Sequence, residues 1–135
     1  MTFADSSFWA GYINERDDRH REALALWRQH ANASVVTTNH VRAETWIFLR
    51  RRAGHQVATR FLDALDEARR VSIVHVEPVL EDEALRWLRR HDEREYSFVD
   101  ATSFAVMRDL GLREALAFDG DFSANGFVEL RARPR

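Results

Sequence analysis

Residues 1–7, Met-Thr-Phe-Ala-Asp-Ser-Ser, join a short apolar run to a polar segment and carry an aspartate at the junction. The apolar run is typical of a strand, and Asp and Ser side chains are the ones that cap helix N-termini. We therefore predict a first strand over residues 1–4 that leads directly into a helix beginning near Ser7.

The same order of apolar strand and amphipathic helix recurs along the chain. Strands are predicted at residues 34–37, 71–76, 115–118 and 127–130, and helices at 17–31, 39–52, 55–70, about 79–91 and 97–110. Gly111 is predicted to end the last helix in the left-handed conformation. Short strands that alternate with helices imply right-handed crossovers and a mostly parallel sheet, so the predicted fold class is α/β.

The composition narrows the possible functions. The 135 residues include no Cys, which excludes a disulfide framework, a Cys-ligated zinc site and a thiol nucleophile. All 20 basic residues are Arg, and without Lys neither a Walker-A phosphate loop nor a Schiff-base enzyme is expected. We expect one domain over residues 1–135, with a flexible Arg-rich tail at 131–135.

The chain has no sequence signal for a membrane or for export. No apolar run approaches the roughly 18 residues that span a bilayer, and the N-terminus has no basic region before its apolar residues. We therefore expect a cytoplasmic protein that does not associate with a membrane.

Several carboxylates fall at the edge of the sheet where ligands bind in parallel α/β folds. Asp5 and Asp119 follow predicted strands, and Glu44 and Asp100 lie early in helices that start at the same edge. Asp121 is a possible fifth member. Like charges this close stay ionised only with a cation among them, and their hard oxygen ligands suit Mg²⁺ or Mn²⁺.

Each carboxylate also has a purely structural interpretation. Asp100 is three residues after Ser97, as in a capping box, and Asp5 fits a helix cap. Asp119 with Gly120 is compatible with an ordinary turn, and Glu44 alone is compatible with a solvated helix position. The metal site is favoured over these interpretations because all four residues fall at the one functional edge.

Taken together, Asp5-Ser6-Ser7, Glu44, the segment Ser97–Arg108 and Phe118-Asp119-Gly120-Asp121-Phe122 resemble PIN-domain nucleases, and the chain length resembles the VapC toxins of bacterial toxin–antitoxin pairs. The resemblance implies a three-layer α/β/α sandwich, a Mg²⁺- or Mn²⁺-dependent endoribonuclease, a homodimer and a cognate VapB-like antitoxin. It implies catalytic roles for Asp5, Glu44, Asp100 and Asp119, metal ligation by Asp5, Asp100, Asp119 and Asp121, and a hydrogen-bonding role for Ser7.

RNA binding requires cations around an acidic site. Arg42, Arg50 and Arg51 are candidates, although a helix C-terminus also favours cations through its dipole. Further candidates are Arg52, Arg89, Arg90, Arg131, Arg133 and Arg135. A tRNA or rRNA loop is a plausible substrate, and Trp9 and Trp46 are predicted to lie at a dimer or antitoxin surface.

Other functions stay open on the sequence alone. A PIN-type nuclease in RNA processing, or a catalytically inactive PIN-fold binding module, would share these motifs. A haloacid-dehalogenase-like phosphatase also places Asp at strand ends, but it needs a second Asp two residues after the first, and residue 7 is Ser.

Overall fold

A parallel five-stranded sheet runs through the computed structural model of the chain, which describes residues 1–134. Six α-helices and one 3₁₀ turn connect and cover the strands. In chain order the elements are β1 (Thr2–Ala4), α1 (Ser6–Ile13), α2 (His20–Gln29), β2 (Val35–Thr38), α3 (Asn39–Arg52), α4 (His55–Glu67), β3 (Val71–Val74), α5 (Pro78–Arg90), α6 (Phe98–Leu110), β4 (Glu114–Leu116), the 3₁₀ turn (Ser123–Asn125) and β5 (Val128–Glu129).

The strand order is β3-β2-β1-β4-β5, and all four strand pairings are parallel. The chain adds strands on one side of β1, then crosses back to add β4 and β5 on the other side. Right-handed crossovers therefore place α1–α4 on one face of the sheet and α5–α6 on the other. The predicted three-layer α/β/α fold is confirmed.

The hydrophobic core surrounds β1, which is buried along its whole length because helices cover both faces. Phe3 on β1 packs against Phe122, and Phe122 packs edge-on against Phe104 of α6. On the other face, Phe8 of α1 and Phe61 of α4 are fully buried. These aromatic contacts fix the carboxyl end of β1 relative to the helices that carry the candidate site.

Several element boundaries differ from the prediction because side chains take the backbone hydrogen bonds. β4 ends at Leu116, two residues early, because Phe118 N donates to the Ser7 hydroxyl at 3.0 Å. β3 ends at Val74 because Val76 N donates to Asn39 Oδ1. The second helix begins at His20 instead of residue 17. The left-handed Gly111 is confirmed.

The prediction for Trp9 is wrong. Trp9 is buried, its indole N–H donates to Thr37 Oγ1 at 3.3 Å, and its ring packs against Trp27 and Phe61. The reason is that α1 is enclosed by α2, α3 and α4, so its hydrophobic residues face other helices instead of a partner. Trp46, the other residue predicted at a surface, is half-buried against His55.

The Arg-rich tail returns to α2. Ala132 N donates to Glu22 Oε2 at 3.2 Å, and Arg133 N donates to Gln29 Oε1 at 2.9 Å. Arg135, a candidate for RNA binding, lies outside the described residues.

Candidate active site

The carboxyl ends of β1 and β4 lie side by side because the two strands pair in parallel, with Ala4 beside Leu116. Asp5 follows β1 directly, and its backbone N–H donates to Leu116 O at 3.0 Å. Asp119 comes shortly after the end of β4 and lies close enough for its charge to act on Asp5. The sheet topology therefore joins two aspartates from opposite ends of the sequence.

Asp5 caps α1 and is held by Ser7. The Ser7 hydroxyl donates to Asp5 Oδ2 at 2.8 Å and accepts from Phe118 N at 3.0 Å, so it joins the ends of β1 and β4. Ser7 N also donates to Asp5 Oδ2 at 3.2 Å. Within residues 1–134, the fully buried Asp5 Oδ1 has no hydrogen-bond partner.

Asp100 belongs both to a helix cap and to the acidic group. Its Oδ2 accepts from Ser97 N at 2.9 Å, while Ser97 Oγ accepts from Asp100 N at 2.9 Å, which is a complete capping box. The two interpretations of Asp100 are therefore compatible. The cap uses Oδ2 and fixes the position of the carboxylate.

Asp100, Asp119 and Asp121 each present a carboxylate oxygen within 4.8 Å of the other two. The loop that carries Asp119 and Asp121 turns at Gly120, whose φ is +84°, a conformation that L side chains rarely adopt. Asp121 Oδ1 accepts from Arg94 Nε at 2.8 Å. This guanidinium group partly neutralises Asp121, whereas Asp100 and Asp119 have no ion pair within residues 1–134.

Glu44 lies at the edge of this group. Ser6 Oγ donates to Glu44 Oε1 at 2.5 Å, which fixes the carboxylate. Glu44 lines a cavity of about 380 Å³ together with Ser7 and Asp119, and also an adjoining apolar cavity of about 570 Å³. Glu44 is therefore placed beside the aspartates, at the entrance to the space where a substrate would lie.

Burial and mutual repulsion make these carboxyl groups hard to ionise. Burial raises the pKa of Asp5 well above its usual value, and the charges of Asp119 and Asp100 raise it further. Burial raises the pKa of Asp100 to about 7, with added repulsion from Asp119, Asp121 and Glu44. The pKa of Asp119 rises to about 6, again mainly through burial. Only a cation can stabilise all of these charges together.

The residues present fit a divalent metal ion. Asp5 offers a buried carboxylate oxygen without a partner, and Asp100, Asp119 and Asp121 offer oxygens within a few ångströms of one another. All four are hard oxygen ligands, which Mg²⁺ and Mn²⁺ prefer over nitrogen and sulfur. Asp100, Asp119 and Asp121 therefore form a candidate metal site, and Asp5 lies beside it.

Three residues that shape this site were not predicted. Ser6 binds Glu44, Arg94 binds Asp121, and the buried carboxylate of Glu129 accepts from Gly120 N at 3.2 Å and from Ser123 N at 3.0 Å. Glu129 also accepts from Arg131 Nη2 at 3.1 Å. Ser6 stands in the Asp5-Ser6-Ser7 motif without a predicted role, and Arg94 and Glu129 stand in no motif, because all three contacts depend on how separate elements meet in the fold.

The predicted RNA-binding arginines of α3 fall into two groups, those that line a site cavity and those that do not. Arg51 lines the apolar cavity with Glu44, because seven residues return a helix almost to the same face. Arg42 and Arg50 stand two and six residues from Glu44, so they project from other faces and line neither cavity. Arg52 lines the apolar cavity with Arg51.

This fold, with acidic residues gathered at the carboxyl edge of its parallel sheet, defines a metal-dependent nuclease, and the model of the PIN domain matches residues 2–128. The chain belongs to the PIN-domain family. Among curated proteins it is 54% identical, over 131 residues, to the 23S rRNA-specific endonuclease VapC20 from two strains of Mycobacterium tuberculosis; the match covers 97% of this chain and 98% of the relative.

A solved structure gives the same result. The crystal structure of M. tuberculosis VapC20, described as a sarcin–ricin loop cleaving toxin, superposes with a TM-score of 0.91 at 53% identity, covering 97% of this chain and 99% of that one. These matches confirm the predicted resemblance to VapC-like PIN-domain toxins and the predicted endoribonuclease activity. No helix within residues 1–134 is long and apolar enough to cross a membrane.

Proposed function

We propose that this chain is a Mg²⁺- or Mn²⁺-dependent endoribonuclease that acts as the toxin of a toxin–antitoxin pair and cleaves the sarcin–ricin loop of 23S rRNA. The observation that carries the proposal is the group of Asp5, Asp100 and Asp119 at the carboxyl edge of the sheet, of which Asp5 and Asp100 are buried, with no ion pair to any of the three within residues 1–134. The choice of RNA rests on the 54% identical relative, which is named as a 23S rRNA-specific endonuclease.

In this proposal Asp5, Asp100 and Asp119 hold the metal directly. Asp121 contributes through the oxygen that Arg94 does not bind. When bound, the ion supplies positive charge that lowers the pKa of a water molecule and stabilises the charge that develops on the scissile phosphate.

The hydrogen bonds around the carboxylates hold them in position before substrate arrives. Ser7 fixes Asp5 through Oδ2 and leaves Oδ1 for ligation. The capping box fixes Asp100 in the same way. Glu44, held by Ser6, is placed to accept the proton of the attacking water, since it lies in the same cavity as Asp119. Attack by water leaves a 5′-phosphate on one product and needs no RNA 2′-hydroxyl as nucleophile.

The proposal also includes partners. We expect a cognate VapB-like antitoxin, a homodimer and a bacterial cytoplasmic location. The apolar cavity beside Glu44 supports a protein contact, because Ile47 and Phe98 on its wall are exposed. Exposed apolar side chains grouped in this way are typical of interaction surfaces.

The decisive experiment is cleavage of a hairpin RNA with the sarcin–ricin loop sequence by the purified chain. We expect discrete products with Mg²⁺ or Mn²⁺, none with chelator and none from Asp119→Asn. Asp63→Asn, which changes an exposed carboxylate in the middle of α4, is the matched control and should cleave normally. Equal cleavage by wild type and Asp119→Asn would overturn the site assignment.

Growth measurements test the toxin role separately. Expression of the wild-type chain should arrest bacterial growth, and Asp119→Asn should relieve the arrest. Harmless expression of a chain that cleaves RNA in vitro would instead indicate a PIN-type nuclease in RNA processing.

A further inference from the structure

A basic pocket lies beyond the apolar cavity. Arg16 after α1, Arg52 at the end of α3 and Arg60 in α4 line a cavity of about 320 Å³, which we call the arginine pocket. All three side chains are exposed, and within residues 1–134 none forms an ion pair. Glu15 is the one carboxylate on its wall, so the pocket keeps an excess of positive charge.

The arginine pocket adjoins the acidic site through shared wall residues. Glu44 and Phe48 line both site cavities, and Arg52 lines both the apolar cavity and the arginine pocket. These three residues are spaced by four along α3 and therefore follow one face of the helix. The guanidinium group of Arg52 lies over the Phe48 ring, 4.4 Å from its centroid, which restricts its movement.

The distance from Glu44 to Arg52 along α3 suits a nucleic-acid strand. Eight residues of helix separate Glu44 from Arg52 by about 12 Å, and a stacked strand advances about 3.4 Å per nucleotide. A strand whose scissile phosphate lies beside Glu44 would therefore carry a phosphate to Arg52 about three nucleotides away. Acidic residues at the cleavage site repel the backbone, so its affinity must come from cations outside that site.

We propose that the arginine pocket binds a backbone phosphate of the RNA substrate about three nucleotides from the scissile bond. This inference rests on the proposed ribonuclease function. Guanidinium groups donate two parallel hydrogen bonds to phosphate oxygens, and the ring of Phe48 holds Arg52 ready to do so. RNA is favoured over an acidic peptide because the pocket continues the path of the acidic site along α3.

The test measures binding of the labelled sarcin–ricin hairpin by fluorescence anisotropy across a salt series, in chelator so that no cleavage occurs. Arg52→Gln and Arg60→Gln should each weaken binding several-fold and reduce the slope of log Kd against log salt by about 1. Arg86→Gln, which changes an exposed arginine of α5 on the opposite face of the sheet, is the matched control and should bind as wild type. Melting temperatures should stay unchanged, because the substituted side chains are exposed.

A second arm uses cleavage kinetics. With the full hairpin, the Arg52→Gln/Arg60→Gln variant should raise KM and leave kcat unchanged. With an RNA that ends two nucleotides from the cut on either side, variant and wild type should have the same KM, because the phosphate that the pocket binds is missing.

The outcomes separate this inference from the proposed function. Wild-type cleavage together with unchanged salt slopes in the arginine variants overturns the arginine pocket alone. Binding that depends on the pocket without any cleavage overturns the ribonuclease function and keeps the pocket. Unchanged RNA binding together with weaker capture of the antitoxin would assign the pocket to a protein partner, which contradicts the inference.

Discussion

Replacing Asp119 by asparagine should stabilise the metal-free protein. The pKa of Asp119 is about 6, compared with its usual 3.8, so at pH 8 the carboxylate is ionised and destabilises the folded protein. Each pKa unit corresponds to about 1.4 kcal/mol, which gives about 3 kcal/mol before solvent screening. Because Asp119 is exposed to solvent, screening reduces this to about 1–2 kcal/mol.

Asparagine is the suitable replacement because it keeps the shape and one hydrogen bond. Asp121 N donates to Asp119 Oδ1 at 3.2 Å, and the amide oxygen of asparagine can accept the same bond. The variant therefore removes the charge without removing the loop contact. For a chain of this length, about 1 kcal/mol changes Tm by about 4 °C, so Tm should rise by about 4–8 °C.

The assay is thermal unfolding with chelator at pH 8 and at pH 5, for wild type, Asp119→Asn and the exposed control Asp63→Asn. The difference should be largest at pH 8 and about half as large at pH 5, because the penalty builds up as pH rises from the usual pKa of 3.8 to the raised pKa of about 6. Added Mg²⁺ should then stabilise wild type more than the variant, because the variant has lost a ligand. An unchanged or lower Tm for Asp119→Asn at pH 8 would refute the reasoning.

Two further predictions concern pH and the loop. Because the pKa of Asp100 is raised to about 7, the folded protein binds more protons than the unfolded chain above pH 3.8. Without metal, the free energy of unfolding should therefore fall as pH rises to about 7, and it should fall less steeply in Asp100→Asn. Urea titrations of both proteins at pH 5 and pH 8 measure this difference. A free energy of unfolding that rises from pH 5 to pH 8 in the wild type but not in Asp100→Asn would contradict this. Glu129→Gln should destabilise the protein by about 1–3 kcal/mol and lower kcat, because the new amide group cannot accept from both Gly120 N and Ser123 N. If denaturant unfolding gives the variant the same stability as wild type, Glu129 does not hold the loop.

Much of the fold can be predicted from the spacing of apolar residues, which follows the strand and helix periods expected of an α/β chain. Strand and helix patterns locate α3 at its observed bounds, and Gly111 marks the end of α6. Strand ends then place Asp5 and Asp119 at one edge, since parallel strands end together. This part of the site depends only on local pattern and on topology, so the sequence alone predicts it.

The remaining parts depend on contacts between distant segments. Glu129 reaches the 119–123 loop because β5 pairs with β4 in one particular register, and Arg94, between α5 and α6, reaches Asp121 after β4. No spacing in the sequence encodes either contact. By contrast, the positions of Arg42 and Arg50 away from Glu44 follow from helical periodicity, and a helical wheel of α3 would have separated them from Arg51.

The pairing of β1 with β4 also sets when the chain can become active during its own synthesis. Asp5 is made before α1 and Asp119 only after β4, the sheet neighbour of β1, which itself follows α6. A nascent or prematurely terminated chain that lacks β4 therefore holds Asp5 and Asp100, two of the four proposed metal ligands, and lacks Asp119 and Asp121. The ribosome that translates this chain is thus exposed to the whole group of carboxylates only after α6, β4 and the turn at Gly120 have been made.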